Sequence, residues 1–235
     1  MKKIIDFYYK NKICINSFGI LLLSGVLRVF FGESVLSRDG YYYCNLAEFW
    51  HEQGFIPSYI NNIPLGVVYI YKTFLTYGLP VVESAITYNL ILSSFLPVIV
   101  YLIAEKCFQD HLIAVWSGIL MSFNPYLLET SWQTMRDTTY LFFSGLAFCV
   151  LFCYPLKNRV LNLFVFSLFC SFALLARHEA VELFVLLLWY VWKQRDEAAV
   201  WKGVLRDVFL SVAFLGILLV AENYLMETLD VYFSM

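Results

Sequence analysis

The sequence predicts an all-α integral membrane protein of about seven transmembrane helices, and three observations carry that prediction. Of 235 residues, 61% are hydrophobic and only 14% charged, against roughly 45–50% and 25% in soluble domains. The mean hydropathy is +0.70. Apolar runs of membrane-crossing length recur along the chain, parted by short polar breaks. A nucleic-acid binder is disfavoured too, because 16 basic residues stand against 18 acidic ones.

The first run, residues 13–31, follows Lys2, Lys3, Lys10 and Lys12. No small-x-small cleavage site follows it, so it reads as an uncleaved anchor with its N-terminus in the cytoplasm. Further spans are predicted at about 84–104, 112–128, 138–154, 160–177, 180–193 and 208–225. The 180–193 run is short for a crossing at ~1.5 Å rise per residue. It is therefore expected to follow 160–177 through a tight turn at Arg177-His178-Glu179, since one continuous span would bury three ionisable groups. In this arrangement only Arg28, Arg38, Lys72, Arg136 and Arg177, of the 16 basic residues, lie toward the outer side, as positive-inside topology requires.

The chain reads as one membrane domain, 1–235, with residues 32–83 forming a long first outer loop. Long loops in compact architectures usually carry function or structure of their own. Two interfacial helices are expected in it. One, from about 40 to 53, stops at Gly54 and gathers Tyr43, Leu46, Ala47 and Trp50 on one face, away from Asn45, Glu48 and Glu52. The other, 64–79, is expected to lie half-immersed with Lys72 snorkelling to water. The six cysteines imply neither a disulfide framework nor a CxxC metal site. Cys149 and Cys153, four apart, read as helix packing.

Asp39 precedes the first interfacial helix, where it would act as an N-cap. A carboxylate fixed there would also be available as a general base or a metal ligand. It belongs to a series: Arg38-Asp39, Arg136-Asp137 and Arg177-His178-Glu179 place a guanidinium beside an acid at three separate outer turns. Such pairs anchor helix ends at an interface, but guanidinium also binds two phosphate oxygens in its planar fork. Glu179 and Glu182 stand three residues apart and could share a cation.

These features resemble the polyprenyl-phosphate-dependent GT-C glycosyltransferases, in the branch of the protein O-mannosyltransferases and aminoarabinose transferases. The resemblance rests on Arg38-Asp39-Gly40 followed by Tyr43, Ala47 and Gly54, then the Pro64–Gly78 stretch. Asn124-Pro125, Met135-Arg136-Asp137 and Arg177-His178-Glu179 complete it. It implies an inverting transfer of sugar from a polyprenyl-phosphate lipid donor to an acceptor on the outer or lumenal face, in a bacterial inner membrane rather than the endoplasmic reticulum. Asp39 is the matching catalytic acid. Arg38, Tyr43, Arg136, Asp137, Arg177 and Glu179 match substrate-binding positions, and a divalent metal ion, if used, would fall to Asp39 or Asp137. The sequence departs from relatives with paired first-loop acids, because Gly40 follows Asp39. The resemblance covers only the shared seven-span module. That leaves two further expectations open: a partner membrane protein supplying additional spans, or a non-catalytic membrane subunit that binds a polyprenyl lipid. A small transporter fits less well, since the charges gather at the rim instead of mid-span.

Overall fold

The computed structural model describes residues 2–32, 36–54, 65–193, 206, 209–217 and 220. Among them the protein is all-helical. Three helices are long and apolar enough to cross a membrane: α1 (Lys2–Phe31) over Asn11–Phe31, α4 (Val81–Phe108) and α8 (Arg159–Ala176). A fourth crossing results if α5 (His111–Ser122) and α6 (Pro125–Ser131) count as one span bent by 51°. The expected 112–128 span is thus broken at Asn124, which caps α6 by accepting from Leu127 N–H, with Pro125 at the first helical position. The remaining predicted spans are shorter. α7 (Asp137–Phe148) continues into a π-helical turn, Cys149–Cys153, and α9 (Leu183–Lys193) has 11 residues. Of the expected 208–225 span, residues 209–217 and 220 are described and helical, and the rest lies outside the described residues.

Close approach of small residues sets the α1–α4–α5 packing. Gly118 of α5 faces Pro97 O and Tyr101 of α4 so tightly that an added methyl would meet them at 3.2 and 3.1 Å. Between α4 and α5 the chain reverses at Gln109, in the left-handed region at φ 53°. Asp110 then caps α5 through Leu112 and Ile113 N–H.

α7 and α8 pack antiparallel, with Phe143 stacked on Phe172 at 4.9 Å near one end and Leu151 clustered with Leu163 near the other. The chain leaves α8 at Arg177, which is extended (φ −150°, ψ 133°), and makes a 3₁₀ turn over His178–Glu182. α9 then runs alongside α7: Tyr140 bonds Glu182 at one end, and Phe152 meets Trp189 and Tyr190 at the other. The tight turn expected at Arg177–Glu179 is present.

Of the first loop, α2 (Arg38–Gln53) and α3 (Gly66–Thr76) are described. The predicted face of α2 is buried, with Tyr43, Leu46, Ala47 and Trp50 joining Val67, Val68 and Tyr71 of α3 in one core. Gly54 closes α2 in the left-handed region at φ 73°, its N–H returning to Trp50 O. Two local expectations are corrected. Ser37, not Asp39, is the N-cap: its extended backbone lets Oγ accept from Gly40 N–H at 3.0 Å, and the helix already begins at Arg38. Lys72 does not snorkel. It is buried at 6% exposure with Nζ 4.8 Å from the Trp50 ring centroid, because the α2 aromatic face offers it a cation–π partner. Burial holds its pKa below the usual lysine value.

Gly66 is where α3 docks on α8. A Cβ there would lie 2.5 Å from Leu175 Cβ and 2.8 Å from Leu175 O, and a backbone oxygen cannot swing away. Gly66→Val is expected to cost about 1–3 kcal/mol, read as a lower thermal unfolding midpoint in detergent. Gly19→Ala, with nothing within 4 Å of its added methyl, should leave that midpoint unchanged or raise it.

Candidate functional site

The three acid–arginine turns fall at one end of the bundle, and the turn between α6 and α7 joins them. Five consecutive residues of that turn each reach a different neighbour. Trp132 Nε1 donates to Arg28 O at 2.5 Å, and Gln133 O accepts from Asn89 Nδ2 at 2.8 Å. Thr134 lies against Gly40, where an added methyl would sit 2.5 Å from its Oγ1. Met135 Sδ accepts from Ser37 Oγ at 3.2 Å, and the Arg136 guanidinium sits 5.7 Å over the Tyr43 ring. A Cβ at position 40 would press on the hydroxyls of Thr134 and Ser37, so the close approach of α2 to the turn suits a glycine there.

Arg177 is the most engaged of the three arginines. Its Nη1 donates to Asp137 Oδ1, from the preceding turn, while Nη2 and Nε grip Glu179 at 3.0 and 3.3 Å. The guanidinium also lies 5.7 Å from the Tyr140 ring, and Tyr140 OH donates to Glu182. The sequence neighbours Arg136 and Asp137 are therefore not each other's partners. Among the described residues, Arg136 has no carboxylate within ion-pair distance. It keeps its charge for the face it shares with Tyr43.

The electrostatics report this convergence. Burial raises the Tyr43 phenol above its ordinary pKa, opposed by Arg136 and Arg177 and reinforced by Asp39 and Asp137. Hydrogen bonding to Glu179 raises the Arg177 pKa still further. The bond from Arg177 pulls exposed Glu179 down to about 2, with Arg136 adding to the effect. This fixes the sign of a pH dependence. A carboxyl depressed from about 4.5 to about 2 on folding contributes stability that is fully present above 4.5 and is lost as pH falls toward 2. In acid titrations monitored by thermal unfolding, Glu179→Gln should flatten the decline between pH 4.5 and 2.

Not every predicted residue joins this cluster. Arg38 and Asp39 are exposed and open, with Tyr41, Tyr42 and Asn45, into a shallow depression of about 410 Å³ on the outward face of α2. Tyr43 lies on the opposite, buried face. The site thus has an acid on the outside of α2 and a cation-rich patch beneath it. Among the described residues, no three His, Cys, Asp or Glu side chains come together to hold a metal ion. Asp137 is bound by Arg177, and Asp39 would need further ligands from elsewhere. Ser37, Tyr140 and Thr134 were not singled out from sequence. Only the Ser37-x-x-Gly40 spacing before the helix hinted at one of them.

No family model matches the chain, and neither a curated protein nor a solved structure matches it.

Proposed function

We propose that the protein is a membrane glycosyltransferase, or the catalytic module of one, that moves a sugar from a polyprenyl-phosphate donor to an acceptor hydroxyl at the membrane end carrying Asp39. The observation that supports this reading most is Arg136. It is a guanidinium held over Tyr43, without a carboxylate partner among the described residues, in a neighbourhood shared with Asp39, Asp137 and Arg177. A departing phosphate gains charge as the sugar–oxygen bond breaks, and a fixed cation beside it stabilises that charge. Arg136 is assigned this part, and Arg38 lies beside the acid on the outer face.

In this mechanism Asp39 accepts the acceptor's proton, and the freed oxygen attacks the anomeric carbon opposite the phosphate, inverting its configuration. The polyprenyl phosphate leaves with the bonding electron pair. Arg177 is a strut: it holds the α6–α7 turn to the α8–α9 turn through Asp137 and Glu179. The reading carries the fuller topology of seven spans, two interfacial helices and a cytoplasmic N-terminus. A divalent cation at Asp39 would organise the acceptor oxygen, and no step here is routed through one.

The test is transfer of radiolabelled sugar from a synthetic polyprenyl-phosphate donor by membranes containing the chain. Transfer above empty membranes supports the proposal, and none with any sugar offered, even with co-expressed membrane partners, would overturn it. The alternative of a non-catalytic subunit draws on Arg177, whose donors are satisfied internally. It predicts lipid retention without turnover.

A further inference from the structure

α4 and α7 run side by side in the same direction, and their contacts advance in register. Phe95 meets Phe142 at 6.3 Å between ring centroids, and a methyl added at Gly145 would lie 2.8 Å from Ile99 Cγ2. Further along, Cys149 clusters with Ile99 and Ile103, and Lys106 Nζ stands 4.9 Å from the centroid of the Tyr154 ring. The same register sets Cys107, in the last turn of α4, opposite Cys153, the last residue of the π-helical turn. That turn is closed by Tyr154 N–H on Cys149 O at 2.8 Å. Such turns are rare and often mark functional positions.

Cys153 Sγ comes within hydrogen-bonding reach of both Cys107 and Cys149. The three thiols do not close around a metal ion. They differ in access: Cys107 is exposed, whereas Cys149 and Cys153 are buried at 7% and 5% exposure. They also differ in the bridge that the backbone permits. Residues four apart on a helix hold their Cβ atoms about 5–6 Å apart, against the ~3.5–4.5 Å of a disulfide. Cys149 and Cys153 therefore cannot join without unwinding their turn, while Cys107 belongs to another helix and is free of that constraint. Lys106 places a cation next to the pair, which favours the reactive thiolate.

We propose that Cys107 and Cys153 are a redox-reactive pair, oxidised by a small-molecule disulfide such as oxidised glutathione to a bridge that fastens the end of α4 to the end of α7. Exposed Cys107 attacks first: its sulfur bonds to one glutathione sulfur, and the other glutathione leaves as a thiol carrying the Cys107 proton. Cys153 Sγ then attacks Cys107 Sγ, the mixed disulfide breaks, and the second glutathione leaves with the Cys153 proton. Two protein thiols are oxidised and one glutathione disulfide is reduced to two thiols. This site stands apart from the sugar-transfer reading and holds whether or not that reading does.

The experiment equilibrates the full chain in detergent with glutathione buffers of rising oxidised fraction, blocks free thiols by alkylation, and reads intact mass and cross-linked peptides. Wild type should lose two hydrogens and yield a peptide pair joined through Cys107 and Cys153. Cys107→Ser, at an exposed position, should abolish the bridge while keeping the wild-type unfolding midpoint in reducing buffer. Cys153→Ser should stop at the first step and hold glutathione on Cys107, and Cys149→Ser should form the bridge as wild type does. Glutathione that stays on wild-type Cys107 without bridge closure would overturn the pair. So would a bridge to Cys149, a link between two chains through Cys107, or free thiols at both positions in fully oxidised glutathione.

Discussion

Asp39→Asn is expected to lower sugar transfer by about 10²- to 10⁴-fold, the usual worth of a positioned general base. The amide keeps the size and shape of the carboxylate but cannot take the acceptor's proton. Folding should barely notice. Asp39 is exposed in the first turn of α2 and the N-cap bond belongs to Ser37, so the substitution forfeits only a favourable helix-end charge. That is about 0.3–1 kcal/mol at an exposed site. Loss of transfer with an unchanged unfolding midpoint and unchanged donor-lipid binding assigns Asp39 to the proton transfer. Activity equal to wild type would remove it from that role.

Arg177→Met should be the most damaging single change for stability among the charged residues of this end. It orphans two carboxylates at once, one of them on Asp137, whose side chain is only 14% exposed. Breaking a fully buried pair costs about 3–5 kcal/mol. Here Glu179 at 57% and Arg177 at 30% exposure are screened by water, which brings the expectation to about 1–2 kcal/mol. A double-mutant cycle separates the pair from its surroundings. Asp137→Asn in the Arg177→Met background should recover part of the loss, because the amide no longer needs a counter-charge. If the two changes simply add, Arg177 and Asp137 do not act as a unit, and the strut has to be sought in Glu179 alone.

What the sequence made legible follows the range of the interactions. The buried face of α2, its stop at Gly54 and the reversal at Arg177 are local: residue spacing and turn chemistry encode them, and the structure shows each. The N-cap was misassigned by two residues because Ser37 and Asp39 are equally good capping types, and only backbone geometry decides between them. Lys72 was misread because its partner, Trp50, belongs to another helix. The same holds for Arg177. Its bond to Asp137 spans 40 positions, so sequence adjacency suggested the wrong partner for Asp137. The break at Asn124 was visible as an Asn-Pro step, yet hydropathy alone ran one span across it. The candidate residues were thus readable as a set, while their pairing was not.

The five-residue turn from Trp132 to Arg136 serves as a keystone. It bonds to the backbone of Arg28 in α1, to Asn89 in α4 and to Ser37 ahead of α2, and it carries Arg136 at its own end. Arg28 and Ser37 lie about 100 residues from their partners in the turn and Asn89 lies 44 from its own, yet all three meet one short segment. A shift of α1 at Arg28 therefore bears directly on the stretch of backbone that carries Arg136. The end of α1 and the placement of Arg136 over Tyr43 are thus tied together through one segment of backbone.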